Sequence, residues 1–336
     1  MRLATPRWWY VRDRASMPVT RALLSPISWI WAWATARRLR RGRPFDPGVP
    51  VICVGNLTVG GSGKTPVVQA LARQLAAQGR AVHIIARGHG GALAGPVRVE
   101  PGRHTAADVG DEAVMMARDA PVWVARDRAA AAAAAVAGGA RVLVMDDGFQ
   151  SPAVRKTLSI VVVDGETRDG EWPFGDGRVF PCGPMREPLG VGLARADAVI
   201  VLAPADLAKA SDDLLALFEG RTVLIAHLVA TEPPPPGPQI GFAGIAKPWK
   251  MERALKAAGC ELIDFAPLPD HATLSEATLH FLAKRARGAG AGLVTSEKDW
   301  ARLSPSWRER VHPWPVRAVF DDPAALDELL ARLAPL

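Results

Sequence analysis

Cysteine is scarce. The three residues, Cys53, Cys182 and Cys260, are widely spaced and odd in number. This excludes a disulfide framework and a cysteine metal cluster, and it fits a reducing, cytosolic compartment. Acid is nearly missing from the first 45 residues, where ten arginines face a single Asp13. That segment carries +9 while the whole chain carries +7, so the remainder sums to −2. The basic character therefore belongs to the N-terminus. Downstream there is no basic patch interleaved with aromatics, no zinc-finger motif and no RNA-binding motif, so nucleic acid is not an expected partner. The guanine-specifying pattern N-K-x-D or T-K-x-D is also missing. Its nearest match, "TSEKDW" (295–300), has Lys298 and Asp299 adjacent, so a nucleotide site here would favour ATP over GTP.

What the N-terminus does contain is tryptophan. Between Arg21 and Arg37 lies "ALLSPISWIWAWATA", fifteen uncharged residues, short of the roughly 20 that a spanning helix needs. Trp29, Trp31 and Trp33 lie within it, Trp8 and Trp9 lie upstream, and arginine flanks both ends. Trp prefers the bilayer interface, and arginine near an anionic leaflet gains roughly 1 kcal/mol each. The expectation is a helix lying on an anionic membrane surface; the alternative is a helix packed on the next domain. "ATARR" is a poor cleavage site for a secretory signal.

The 336 residues suggest about two domains. "VPVICVGN" (49–56) reads as a buried strand, "TPVVQALARQLAAQG" (65–79) as a helix ending at Gly79, and "AVHIIARG" (81–88) as the next strand. This β-loop-α-β order opens a doubly wound, mostly parallel sheet. Further strands are read at 140–150, 158–166, 196–204 and 221–228. The Ala-rich "DRAAAAAAAVAGG" (127–139) reads as a helix that needs no special function. "EPPPPGP" (232–238) reads as a stiff linker. Four parts follow: an interfacial region at 1–45, an α/β catalytic domain at 46–231, the linker, and a smaller α/β domain at 239–336.

"VGNLTVGGSGKTPVV" (54–68) carries the chemistry. A phosphate-binding loop needs a curled backbone, a lysine and a metal-side hydroxyl. Thr58, where the consensus has glycine, opens the loop, and Val59 follows it. Gly60, Gly61, Ser62 and Gly63 supply the curl, Lys64 reaches the phosphates, and Thr65 opens the helix and offers its hydroxyl to Mg2+. Such a site also needs an acid at the end of a neighbouring strand. "VLVMDD", ending in Asp146 and Asp147, is favoured; Asp164, ending "IVVVD", is the competitor or a plain turn acid.

Taken together, "VGNLTVGGSGKTP", "ARGHGG" (86–91), "GDE" (110–112), "DDGFQ" (146–150), "PCGPMRE" (181–187), "GFAGIAKP" (241–248), "PDH" (269–271) and "TSEKD" resemble the tetraacyldisaccharide 4'-kinase family. That family belongs to lipid A biosynthesis in Gram-negative bacteria, and the resemblance runs over most of the chain. It implies transfer of the ATP γ-phosphate to the 4'-hydroxyl of a tetraacylated glucosamine disaccharide 1-phosphate at the cytoplasmic face of the inner membrane. It further implies Asp111 as general base with His271 as its partner. Lys64 and Asp147 would join these in catalysis, with Asp146, Glu187 and Thr65 on Mg2+ and Arg87 and Gln150 at the headgroup. His89 stands where the family has Tyr. Read without the resemblance, Asp111 is a loop acid and His271 a helix-start residue. Two other functions share the loop: a membrane-associated partitioning or targeting ATPase, and a nucleotide-switched scaffold.

Overall fold

Short runs of β-branched residues, apolar on both faces, build the centre of this computed structural model, which describes residues 6–13, 16–168, 170–204, 211–270 and 274–333. Strands β1 (Val51–Gly55), β2 (Val82–Ala86) and β5 (Val142–Asp146) are buried along their whole length, as is β7 (Ala198–Ala203). Such strands need cover on both faces, the condition of a parallel sheet in a doubly wound fold. With β3 (Val97–Arg98), β4 (Val122–Val124), β6 (Leu158–Asp164), β8 (Thr222–Ala230) and a late strand at Val316–Phe320, they form a nine-stranded sheet. Its order by sequence is late strand, β8, β7, β6, β1, β5, β2, β4, β3. Only the two edge pairs are antiparallel.

The strand β1 sits between β5 and β6, in parallel register with both. The loop after β1 and the acids that end β5 and β6 therefore emerge at one carboxyl edge, where open α/β sheets bind ligands.

A second sheet holds β9 (Gln239–Ala243), β10 (Leu262–Pro267), β11 (Gly292–Ser296) and β12 (His312–Trp314), in the order β10, β9, β11, β12 and all parallel. The helices Pro248–Ala257 and Glu276–Gly288 cover it. The small unit does not run to the chain end as expected. Val316–Phe320, which we number β13, returns to the large sheet beside β8, and the helix Pro323–Ala331 buries Leu326, Leu329 and Leu330 in the large core. The chain thus crosses between lobes twice. The crossings touch: Thr231 N donates to Pro315 O (3.0 Å) and Trp314 Nε1 to Glu232 O (3.1 Å). Composition marked the outgoing Pro-rich crossing; nothing marked the return.

The helix α1 (Pro18–Arg41, 24 residues) is inside out. Its buried residues are polar: Arg21, Ser28 and Thr35, spaced by seven and so on one face. Large apolar residues on it are exposed, Val19, Leu23, Ile27, Ile30, Trp29, Trp31 and Trp33, as are Arg37, Arg38, Arg40 and Arg41 near its end. Arg21 and Asp176 form a fully buried ion pair (2.6 Å), and Ser28 Oγ donates to Val179 O (2.9 Å). No helix among the described residues is long and apolar enough to cross a membrane.

Candidate active site

The loop between β1 and the helix α2 (Lys64–Ala77) is strapped at its entry. Val59 N donates to Pro184 O (2.7 Å), Arg186 Nε to Thr58 O (2.9 Å), and Thr58 bridges Met185. Beyond the straps, the amides of Gly60, Gly61, Ser62 and Gly63 donate to no other group among the described residues. Consecutive unspent amides ahead of a helix N-terminus make an anion cradle. The left-handed positions are Gly60 (φ 102) and Gly63 (φ 74), so the turn does not require glycine at Thr58. A Cβ at Gly63 would lie 2.3 Å from Leu202 Cδ1, and one at Gly61 2.9 Å from Ala246 of the second lobe. Close packing keeps both positions glycine.

Across from the loop, Asp147 takes a left-handed backbone (φ 45) as the chain leaves β5. Its Oδ1 meets Arg186 Nη1 at 2.8 Å and Lys64 Nζ at 3.5 Å. Burial works to raise the Asp147 carboxyl, but Lys64, Arg186 and Arg128 outweigh it and hold it well below the usual carboxylate range. Asp146 behaves oppositely. Burial, Glu112 and Asp147 push its carboxyl up to about 7, against the opposing pull of Lys64 and Arg128. Among the described residues its buried Oδ1 has no hydrogen-bond partner, and neither do Ser62 Oγ and Asn56 Oδ1. Unsatisfied oxygens buried at one edge are what a hard cation and a phosphate would satisfy. Asp164, the competing acid, is already spent on Lys247 (2.7 Å) and Lys250 of the second lobe.

A cleft of about 380 Å³ opens beside these acids. Arg38, Arg87, Arg126, Arg128 and Arg186 line it, against Glu112, Asp146 and Asp147. Cations exceed acids, a balance that suits a ligand carrying phosphate. Arg38 comes from the inward face of α1, so the Trp-rich helix forms part of the cleft wall. Arg87, His89 and Gln150 also line it. Gln150 is largely committed within the protein: Nε2 donates to Asn56 O (2.9 Å) and Glu187 Oε1 (3.0 Å). Glu187 is only 2% exposed, is held by Arg195 and Gln150, and does not line the cleft.

Asp111 begins the helix Asp111–Met116 but is not part of the cleft lining, which Gly110, Glu112 and Ala113 supply. Two guanidinium nitrogens of Arg302, on the second lobe, converge on Asp111 Oδ2 at 2.7 and 2.5 Å. Asp299 helps aim Arg302, with which it pairs at 3.3 Å, and pins Gly244 N at 2.9 Å. "TSEKD" therefore acts as a lobe-to-lobe brace. His271 lies outside the described residues.

Three functional arginines were missed in the sequence. Arg186 stands in "PMRE", where only Glu187 drew attention. Arg302 follows "TSEKDW". Arg128 opens the Ala-rich helix read as having no function, and its Nη2 donates to Asp147 O at 2.7 Å.

Comparison with known proteins bears on this arrangement. The profile of the family described as tetraacyldisaccharide-1-P 4'-kinase matches residues 20–334. A protein of Phenylobacterium zucineum named tetraacyldisaccharide 4'-kinase is 65% identical over 333 residues, covering 99% of this chain and all of the relative. One of the same name from Caulobacter vibrioides is 64% identical over 330 residues, covering 98% of each. A crystal structure of LpxK from Aquifex aeolicus in complex with ATP superposes with a TM-score of 0.71 at 25% identity, covering 94% of this chain and 99% of the neighbour.

Proposed function

Since this chain belongs to the tetraacyldisaccharide-1-P 4'-kinase family, we propose a division of labour among its residues for that reaction. The chain is a lipid A 4'-kinase, passing the ATP γ-phosphate to the 4'-hydroxyl of the tetraacylated disaccharide 1-phosphate. The kinase names of its relatives disfavour a partitioning ATPase or a passive scaffold. One observation supports the assignment of roles best. The unspent amides of 60–63, Lys64 and the unsatisfied Asp146 face one edge, next to a cleft with five arginines.

In this reading the loop amides and Lys64 hold the β- and γ-phosphates of ATP. Lys64 exchanges its long contact with Asp147 for phosphate. Asp146, with its buried free oxygen, and the Thr65 hydroxyl would hold Mg2+, which supplies charge neutralisation at the phosphates. That donor set is small, as Mg2+ prefers when phosphate and water complete its shell. Glu187 stands behind Gln150 and Arg195 and would act on the metal side only through Gln150. The anionic acceptor headgroup lies against the cleft arginines, Arg87 among them, and its acyl chains run along the outer face of α1. In this reading the protein works at the cytoplasmic face of the inner membrane.

Asp111 is the proposed base for the 4'-hydroxyl, a weak nucleophile that needs its proton removed as the bond forms. Arg302 fixes its carboxylate, so movement of the second lobe, which carries Arg302, controls how Asp111 meets the acceptor. The test uses labelled ATP, Mg2+ and the disaccharide 1-phosphate lipid in detergent. Acceptor-dependent transfer is expected, and its absence refutes the role assignments. Asp111→Ala should lower turnover by roughly 10²–10⁴ with ATP affinity unchanged. Wild-type turnover in that variant removes Asp111 as base.

A further inference from the structure

The residues ahead of the family match, which begins at residue 20, reach the phosphate loop. Tyr10 is the only tyrosine of the chain, and its Oη donates to Val59 O at 2.8 Å. Pro184 and Arg186 hold the preceding peptide of the same loop, at Val59 N and Thr58 O. A small cavity of about 20 Å³, room for one water, is lined by Tyr10, Ser62, Asp164 and Lys247 among others. The next residue of the loop is Gly60, the first left-handed turn of the anion cradle, and a Cβ there would sit 3.5 Å from Tyr10 Oη.

The segment bearing Tyr10 is firmly held. The buried guanidinium of Arg21 in α1 donates to Trp8 O (2.9 Å) and Asp13 O (3.3 Å), so the chain from 8 to 13 folds around it. Trp172 N donates to Tyr10 O (2.7 Å), Val11 bridges Glu171, and Trp9 packs edge-on against Phe180 at 5.7 Å. A run of buried contacts therefore leads from α1 through Arg21 to Tyr10 and on to the loop.

We propose that Tyr10 is a positioning residue for ATP: through the Val59 carbonyl it holds the entry of the phosphate loop in the curl that aims its amides at the phosphates. The inference rests on the reading of 58–65 as the nucleotide site. Without the bond, Val59 keeps only the strap at its amide, and binding must order the turn that follows. Burial, with Asp164 and Glu171 nearby, pushes the phenol up to about 12, so it remains a donor throughout the physiological range.

The test compares full-length wild type with Tyr10→Phe and Arg12→Ala in detergent, using a non-hydrolysable ATP analogue and then steady-state kinetics. Arg12 lies on the same segment, pairs with Asp213 at the surface and stacks on Trp172 at 4.3 Å, so it reports general loosening of the segment. Tyr10→Phe should weaken analogue binding and raise the KM for ATP by roughly 3- to 10-fold, the value of one net hydrogen bond. The KM for the lipid acceptor and kcat should stay within about twofold, and Arg12→Ala should match wild type. Less than a threefold change in Tyr10→Phe, or an equal loss in Arg12→Ala, overturns the inference. A wild type that binds no analogue overturns the site reading as well. If Tyr10→Phe does not fold, 3-fluorotyrosine labelling of the native chain gives a single fluorine resonance. That resonance should shift on adding the analogue, and an unmoved resonance overturns the proposal.

Discussion

Two neighbouring carboxyls, Asp146 and Asp147, are driven in opposite directions by what surrounds them. Asp147 has cations on its side chain; Asp146 is buried with one oxygen unmatched. The folded pKa of Asp146, about 7, exceeds its ordinary value of 3.8. Ionising it therefore costs folding energy, and that cost grows as pH rises from 4 towards 7 and is complete above 7. Asp146→Asn should then stabilise the metal-free protein at pH 8 by roughly 1–4 kcal/mol, while the gain vanishes below about pH 4. The same variant should lose phosphate transfer. Thermal melts with and without Mg2+ provide the check: Mg2+ should raise the melting temperature of wild type but not of the variant. An equal Mg2+ effect on both would remove Asp146 from the metal site.

At the scale of elements, α1 shows how a helix is read from its two faces together. Its charge and tryptophan content were plain in the sequence, but which residues faced the body was not. Packing chose the polar stripe, because Arg21 finds Asp176 and Ser28 finds a loop carbonyl inside the protein. The apolar residues were left outside, where the proposed contact with lipid would cover them. Leu23 is 74% exposed and Ile27 52%, so Leu23→Glu with Ile27→Glu removes no core packing. The double variant should keep its fold and its nucleotide affinity. Its partition onto vesicles containing anionic phospholipid should fall by at least about tenfold, since each lost aliphatic contact is worth roughly 1.5–3 kcal/mol when buried. Flotation on those vesicles measures it, and unchanged partition would place the lipid contact elsewhere.

Over the whole molecule, two lobes meet through charge. Asp164 and Glu166, at the end of β6, receive Lys247, Lys250 and Arg253 from the second lobe. Lys250 and Lys247 overcome burial and hold the Asp164 carboxyl below its usual range. The pair therefore contributes stability above the ordinary carboxylate pKa, and this is lost as acid protonates Asp164. Asp164→Asn would leave two largely buried lysines side by side, at a cost of roughly 3–5 kcal/mol. Urea unfolding should show that loss, and limited proteolysis of the 231–238 crossing should quicken. Wild-type stability would mean that the Asp164 cluster does not hold the lobes together.

By itself the sequence determined what depends on local pattern. Buried strands read as continuous apolar runs, the loop as glycines before a lysine and a helix, and the acids as the end of a strand. Each follows from neighbours a few residues apart, where backbone geometry and propensity act directly. That glycine is not needed at Thr58 emerged only from the backbone, whose left-handed turns fall at Gly60 and Gly63. Only the tertiary structure decided which long-range partners occupy each group. It put Asp164 on lysines of another lobe, leaving Asp146 as the unsatisfied acid. It turned Glu187 inward onto Arg195, set Arg302 on Asp111, returned residues 316–331 to the large sheet, and brought Tyr10 to Val59. Ion pairs and hydrogen bonds between residues 8 to 191 positions apart leave no periodic trace in a chain. Burial and distance select them after the sheet has formed.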